Sequence, residues 1–399
     1  MKSSNPNFGG KKWIFSVRPL TYVIIALCVF AAFGCGNSRT QKAETNIVKS
    51  SSQPFVTTQI KHAKGFNIEY FPNYKLLQIF SKLDTQNYVL LPSGISSPKG
   101  YQKWQIIEIP VKSLIGMSSL QIAMAGFAES PNVITGLASS KYVSSPKVRA
   151  NIKAGKVIEV GEEGTVNSEA IITAKPNLVM ATGNSTASFS KYQNLLNAGI
   201  PVVLVSEWLE HSPLGRAEWV KLMAALLNKE ALVNAKFAKI EKEYNRLASI
   251  GRGASTKPSI IVGMPYKGSW FVPDGTSFMT QFFKDAGASY NWYNVKGNGS
   301  MGLSFESVAP VALKADYWIN SGTVNTKADI AALDERYTYF KPYKTNTIYN
   351  FNKRVNDFGS NDYWESGVVN PHLVLSDLIK ILHPEALPNY QLFYYKQIL

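Results

Sequence analysis

Four histidines (His62, His211, His372 and His383) and two cysteines are all the imidazole and thiol side chains in 399 residues. A protein-held zinc or manganese ion needs several such groups close together with carboxylates. His372 and His383 fall on one terminal helix about three turns apart, too far to share an ion. His211 follows Glu207, Trp208 and Glu210 and is the one histidine placed to touch a haem or metal; the competing reading is a solvent-facing or hydrogen-bonded ring. Cys28 lies in an apolar run and Cys35 closes it, which leaves no thiol for a disulfide, a zinc site or nucleophilic chemistry. Catalytic signatures are also thin. "GNGSMG" at 297–302 matches G-x-G-x-x-G, but a Tyr- and Asn-rich run precedes it and no suitably spaced acid follows. There is no G-x-S-x-G elbow, H-E-x-x-H or P-loop, so an exported hydrolase would have to use a noncontiguous carboxylate pair.

Aromatic and cationic side chains are plentiful in segments that read as loops after strands. Trp208, Trp270, Phe271, Tyr363 and Trp364 suit stacking on a large organic ligand, whereas Lys141, Tyr142, Lys267 and Arg354 suit its carboxylates or phosphates. For any single aromatic the competing role is core packing. Two glutamates recur in a repeated unit: Glu169 in "NSEAIITAKPNLVMATG" (167–183) and Glu306 in "SFESVAPVALKADYWINSG" (304–322). In each unit a capping Asn or Ser opens a helix, the glutamate sits in its first turn, and a strand follows. The copies are too far apart for a solenoid and suit two related lobes. Taken alone, each glutamate complements a helix dipole.

The elements that would carry these loops alternate between strand and helix. "QIIEIPV" (105–111), "NVITGLA", "KVIEVG" (156–161) and "IPVVLVS" (200–206) read as strands, with a helix near Ser118 or Ser119. A second series runs from "KPSIIVGMPY" (257–266) through "GTSFMTQFFKDAGA" and "TNTIYNFN" (345–352) to a terminal helix opened by Pro371. Between them Val233, Phe237, Ile240, Tyr244 and Leu247 form a helical apolar stripe that Gly251 and Gly253 end. The fold expected is therefore α/β, with two doubly wound lobes joined by a single long interlobe helix and an extra β-rich segment at the N-terminal side. The expected divisions are 1–35 (export signal), 36–54 (flexible tether), 55–104 (β-rich), 105–213 (first lobe), 214–250 (helical connection) and 251–399 (second lobe).

Composition agrees with two cores: 45% of residues are hydrophobic and 12% aromatic. The net charge of +15 is spread along the chain without a run of five basic residues, which argues against a nucleic-acid arm. Lys2, Lys11, Lys12 and Arg18 precede the apolar run from Leu20 to Phe33, an export signal. At about 14 residues it is short of the ~20 that span a bilayer. Gly34-Cys35 resembles a bacterial lipobox, with Cys35 as the lipidated residue.

In the order of their pieces, residues 105–385 resemble the substrate-binding proteins of ABC importers, in the group that binds ferric siderophores, haem and vitamin B12. The resemblance rests on "EAIITAKPNLVMATG", "QNLLNAGIPVVLVS", the interlobe helix, "GTSFMTQFFKDAGA", "FESVAPVALKADYWINSG" and "NDYWESGVVNPHLVLSDLIKILHPE". It implies a monomeric receptor without catalysis or a resident cofactor, exported and lipid-anchored on the periplasmic side of a bacterial membrane. It further implies an iron(III) chelate or a corrinoid as ligand, with haem or a metal ion as the alternative cargo. The partner would be an ABC permease dimer with its ATPase, docked through Glu169 and Glu306, one on each lobe.

Overall fold

The computed structural model describes residues 55–82, 84–162, 165–183 and 189–399. The expected signal, Cys35 and the tether lie outside the described residues. Among the described residues no helix is long and apolar enough to cross a membrane.

Two parallel sheets form the lobes. In the first, the order is Ile158–Glu159, Ile134–Leu137, Leu114–Gly116, Leu178–Thr182 and Val202–Val205, all parallel. Leu178–Thr182 as far as Ala181 and all of Val202–Val205 are continuous runs of buried apolar residues, the pattern of a parallel sheet covered on both faces. In the second, Ser289–Tyr290, Ser259–Val262, Tyr317–Ile319 and Ile348–Asn350 are parallel, and Lys396–Gln397 closes the edge antiparallel. A small antiparallel sheet of Pro265–Tyr266, Ser269–Pro273 and Ser300–Leu303 adds to the second lobe.

The 24-residue helix Glu230–Gly253 runs between the two series. Its buried stripe is the one expected, Val233, Phe237, Ile240, Tyr244 and Leu247, and burying each such side chain contributes about 2 kcal/mol relative to exposure. Gly251 does not stop this helix but sits in its last turn. A Cβ there would lie 2.2 Å from Asp285 O, so glycine is required for the chain at 285–287 to cross against the helix. Tyr244 Oη donates to Asp285 Oδ2 (2.7 Å) at the same crossing.

The β-rich segment is a four-stranded sheet of Phe66–Tyr70, Lys75–Phe80, Thr85–Pro92 and Gln105–Ile109. The last strand corrects the sequence reading: 105–109 does not open the first lobe but pairs parallel with Thr85–Pro92, and the lobe's own central strand is the short Leu114–Gly116. This sheet covers the free edge of Val202–Val205 with side chains. The Gln86 amide accepts from Leu204 N (3.0 Å) and donates to Leu204 O (3.2 Å), Tyr88 Oη donates to Val202 O (2.8 Å), and Gln105 Oε1 accepts from Val202 N (2.9 Å). An edge that would otherwise present unpaired amides is thus satisfied.

Two buried carboxylates anchor the segment to the helices. Glu218 accepts from the amides of Lys61, His62 and Ala63 and from Lys221 Nζ (2.6 Å). Glu210 accepts from the amides of Lys64 and Gly65 and from Trp219 Nε1 (3.0 Å). Burial alone would raise the Glu218 pKa, but the Lys221 bond and the backbone amides outweigh it and hold the carboxyl below its ordinary value.

Candidate functional site

Parallel sheets place ligands at the C-terminal ends of their strands, where loops carry the variable side chains. Here the loops after Leu114–Gly116 and Ile134–Leu137 face those after Tyr317–Ile319 and Ile348–Asn350 across a cleft of about 800 Å³. From the first lobe come Ser118, Ser119 and Tyr142; from the second come Asn325, Phe351, Asn352, Asn361 and Trp364.

Local structure fixes these groups. Ser118 caps the helix Ser119–Phe127 in a capping box with Gln121. Asn361 caps the short turn Asp362–Trp364 through Tyr363 N (3.1 Å). The Trp364 ring, 50% exposed, meets Phe351 edge-on at 5.2 Å, and Phe351 in turn stacks on the buried Tyr363 at 4.4 Å. Trp364 is therefore a rigid, half-open aromatic surface with a packed aromatic backing.

Beside the cleft the lobes are joined by packing of Ser119–Phe127 against Ser366–Val369 and by hydrogen bonds. Ser144 N donates to Glu365 Oε2 (2.6 Å), Ser144 Oγ meets Ser360 Oγ (2.7 Å), Asn356 Nδ2 donates to Val143 O (2.9 Å) and Ser119 Oγ donates to Trp364 O (3.3 Å). His211 belongs to a further contact of this kind, its Nδ1 lying 2.8 Å from Thr276 O, and it does not line the cleft. Burial pushes the Glu365 carboxyl up to about 7; Asp362 adds to the rise, while the Ser144 and Ser145 amides and Arg149 oppose it.

Of the ligand residues expected from sequence, Tyr142 and Trp364 both line the cleft, and Lys141 Nζ lies 5.6 Å from the Tyr142 ring. The others are elsewhere. Trp270 is in the core, its Nε1 bonded to Val262 O (2.8 Å) and its ring against Trp318, because strand alternation turns 270 inward and 271 outward. Phe271 and Lys267 are consequently exposed on the small sheet and its turn, away from the cleft lining. Trp208 donates from Nε1 to Gly183 O (2.9 Å) and stays outside the cleft. Tyr363 is buried behind Phe351. Arg354 pairs with Asp362 (2.7 Å), lies over Phe393, and faces a different cavity.

That second cavity, about 900 Å³, borders the interlobe helix and holds Lys236, Lys239, Lys353, Arg354 and Glu365. Several of its charges are already engaged: Lys236 with Phe127 O (2.7 Å), Lys353 with Leu392 O and Arg354 with Asp362. It adjoins the cleft, sharing Ile122 and Val355 with it, and the cleft, with its exposed aromatics, is the better ligand site. Sequence reasoning missed Ser118, Asn325, Phe351 and Asn352. The strand expected over 345–352 stops at Asn350, which puts Phe351 and Asn352 in the loop beyond it; Ser118 and Asn325 lie in the loops that follow Leu114–Gly116 and Tyr317–Ile319 and give no other signal.

Glu169 and Glu306 are both exposed in the first turns of Ser168–Ala174 and Phe305–Ala312, capped by Asn167 and Ser304. The Glu306 carboxyl is held below its ordinary value by its own amide and the Ser304 hydroxyl. Among the described residues no group of three or more His, Cys, Asp or Glu is arranged to hold a metal ion.

Residues 117–354 match the family model for periplasmic binding proteins. An uncharacterized lipoprotein of Methanocaldococcus jannaschii is 27% identical over 377 residues, spanning 88% of this chain and 87% of that protein. A Staphylococcus epidermidis structure described as a possible iron-binding, periplasmic solute-binding protein gives a TM-score of 0.54 at 15% identity, over 69% of this chain and 99% of its own. A periplasmic haem-binding protein from Pseudomonas aeruginosa gives 0.54 at 13% identity, over 72% of this chain and 98% of its own. At these identities the two structures share the fold.

Proposed function

The chain belongs to the periplasmic binding protein family, and from that premise we propose that it is the lipid-anchored, substrate-capturing component of an ABC-type importer for a metal chelate of the siderophore, haem or corrinoid kind. The observation that carries this reading is the cleft of about 800 Å³ at the strand ends of two parallel sheets. Such a cleft, with a few polar groups and half-open aromatics, is suited to enclosing a compact organic ligand. The names of the fold neighbours, one iron-binding and one haem-binding, point to chelates. A lipid at Cys35 is supported by the lipoprotein name of the relative that spans most of the chain.

In this reading the chain performs no chemistry on its ligand. The motion between lobes is small, because the helix Glu230–Gly253 packs on Phe278–Asp285 and Pro371–Leu382 and reaches the first lobe through Lys236 Nζ to Phe127 O, while Ser119–Phe127 packs against Ser366–Val369. Glu169 and Glu306 are the docking charges toward the permease dimer: exposed acids on two lobes steer encounter and fix orientation. The permease, driven by its ATPase, then separates the lobes and the ligand leaves. The double charge reversal Glu169→Lys, Glu306→Lys tests the docking role. Uptake and co-purification with the permease should fall while ligand affinity holds; uptake that is unchanged would return both residues to helix-dipole duty.

A further inference from the structure

The chain carries a net charge of +15, yet the cleft lining contains no Lys, Arg, His, Asp or Glu among the described residues. Of the undescribed internal residues (Leu83, Glu163, Gly164 and 184–188, NSTAS) only Glu163 is ionisable, and it is an acid. Every polar side chain on the wall is a hydroxyl or a primary amide. Ser118, Ser119 and Ser360 supply hydroxyls, and Asn325, Asn352 and Asn361 supply amides. Each of these groups can both donate and accept, so the wall can serve the N–H and the C=O of an amide alike, but it brings no charge to balance a carboxylate.

The Asn352 amide is held in place by the protein itself. Its Nδ2 donates to Val324 O (3.2 Å) and to Asn325 Oδ1 (2.9 Å), which fixes the amide orientation and leaves Oδ1 without a protein partner. The apolar part of the wall is equally selective: the half-open Trp364 ring from one lobe and Tyr142, 47% exposed, from the other offer flat faces to a flat ligand surface.

Building on the receptor reading, we infer that the cleft selects an electrically neutral metal chelate whose periphery is made of amide-type groups, amide or hydroxamate. A ligand carrying uncompensated negative charge would lose its hydration on entry and meet no cation on the lining itself, Lys141 Nζ standing outside it at 5.6 Å from the Tyr142 ring. A neutral chelate loses nothing of that kind and finds matched hydrogen bonds around the rim. The two sources of such chemistry are a ferric trihydroxamate and a fully amidated corrinoid.

The test is calorimetric titration of the full-length chain in mild detergent, at low and at high ionic strength. The probes are a neutral ferric trihydroxamate, an anionic ferric triscatecholate, haem, an amidated corrinoid and the same corrinoid with side-chain amides hydrolysed to carboxylates. One neutral probe should saturate with affinity that salt barely changes, and which one does so identifies the source. Its anionic counterpart should bind at least about tenfold more weakly. Thr323→Lys, which puts a cation on the exposed cleft wall, should narrow that gap and make anion binding salt-sensitive. Tighter binding of the triscatecholate or of haem by the unmodified chain would overturn the inference and leave the receptor reading standing. If no probe binds, the chelate-receptor reading falls and takes the inference with it.

Discussion

Glu365 offers a sharp test of how the lobes are held together. Its side chain is 3% exposed and crosses to the first lobe, where Oε2 accepts from Ser144 N at 2.6 Å. Burial raises its pKa from the ordinary 4.5 to about 7. Since the raised value belongs to the buried state, the contribution of this group to stability is complete below about pH 4.5 and is lost as pH climbs toward 7. At about 1.4 kcal/mol per tenfold change in proton affinity, the full loss is roughly 3 kcal/mol above pH 7. Glu365→Gln keeps an oxygen for Ser144 N and removes the charge. In urea unfolding followed by tryptophan fluorescence, the variant should match the parent near pH 4 and exceed it by up to roughly 3 kcal/mol at pH 8. Asp377 is also pushed up by burial, but it titrates in both proteins and cancels in the difference. Parallel pH profiles, or a parent that gains on the variant as pH rises, would refute the reasoning.

Two further substitutions separate site from scaffold. Trp364→Ala removes the exposed aromatic face of the cleft and should weaken chelate binding by about tenfold to a hundredfold, with a small change in melting temperature. Trp270→Ala should do the reverse, costing about 3–5 kcal/mol of stability because it empties a core position against Trp318. Tyr88→Phe leaves Val202 O without its side-chain donor; a loss of about 1–2 kcal/mol in urea denaturation is expected, and no loss would mean the edge is covered without it.

Much of the fold was legible because its signals are local. The stripe on Glu230–Gly253 and the two capped glutamate helices could be read from spacing and cap residues, and the family resemblance they support is borne out by the match over 117–354. The strand at 105–109 was misassigned because "QIIEI" has the same apolar character whichever sheet it joins; only its long-range pairing with Thr85–Pro92 decides the matter. The site was harder to read. Cations and aromatics attract attention in a sequence, yet Arg354 is neutralised by Asp362 and Trp270 is turned into the core by strand alternation. The residues that line the cleft are mostly Ser, Asn and Gly, whose role comes from position and not from type.

The central claim is that one chelate is held between the two lobes. The most direct measurement is hydrogen–deuterium exchange of the full-length chain with and without a saturating neutral chelate. The account predicts simultaneous protection of 116–142 and 351–365, with the sheet at 66–109 unchanged. Protection confined to one lobe, to the N-terminal sheet or to the cavity beside the interlobe helix would contradict it.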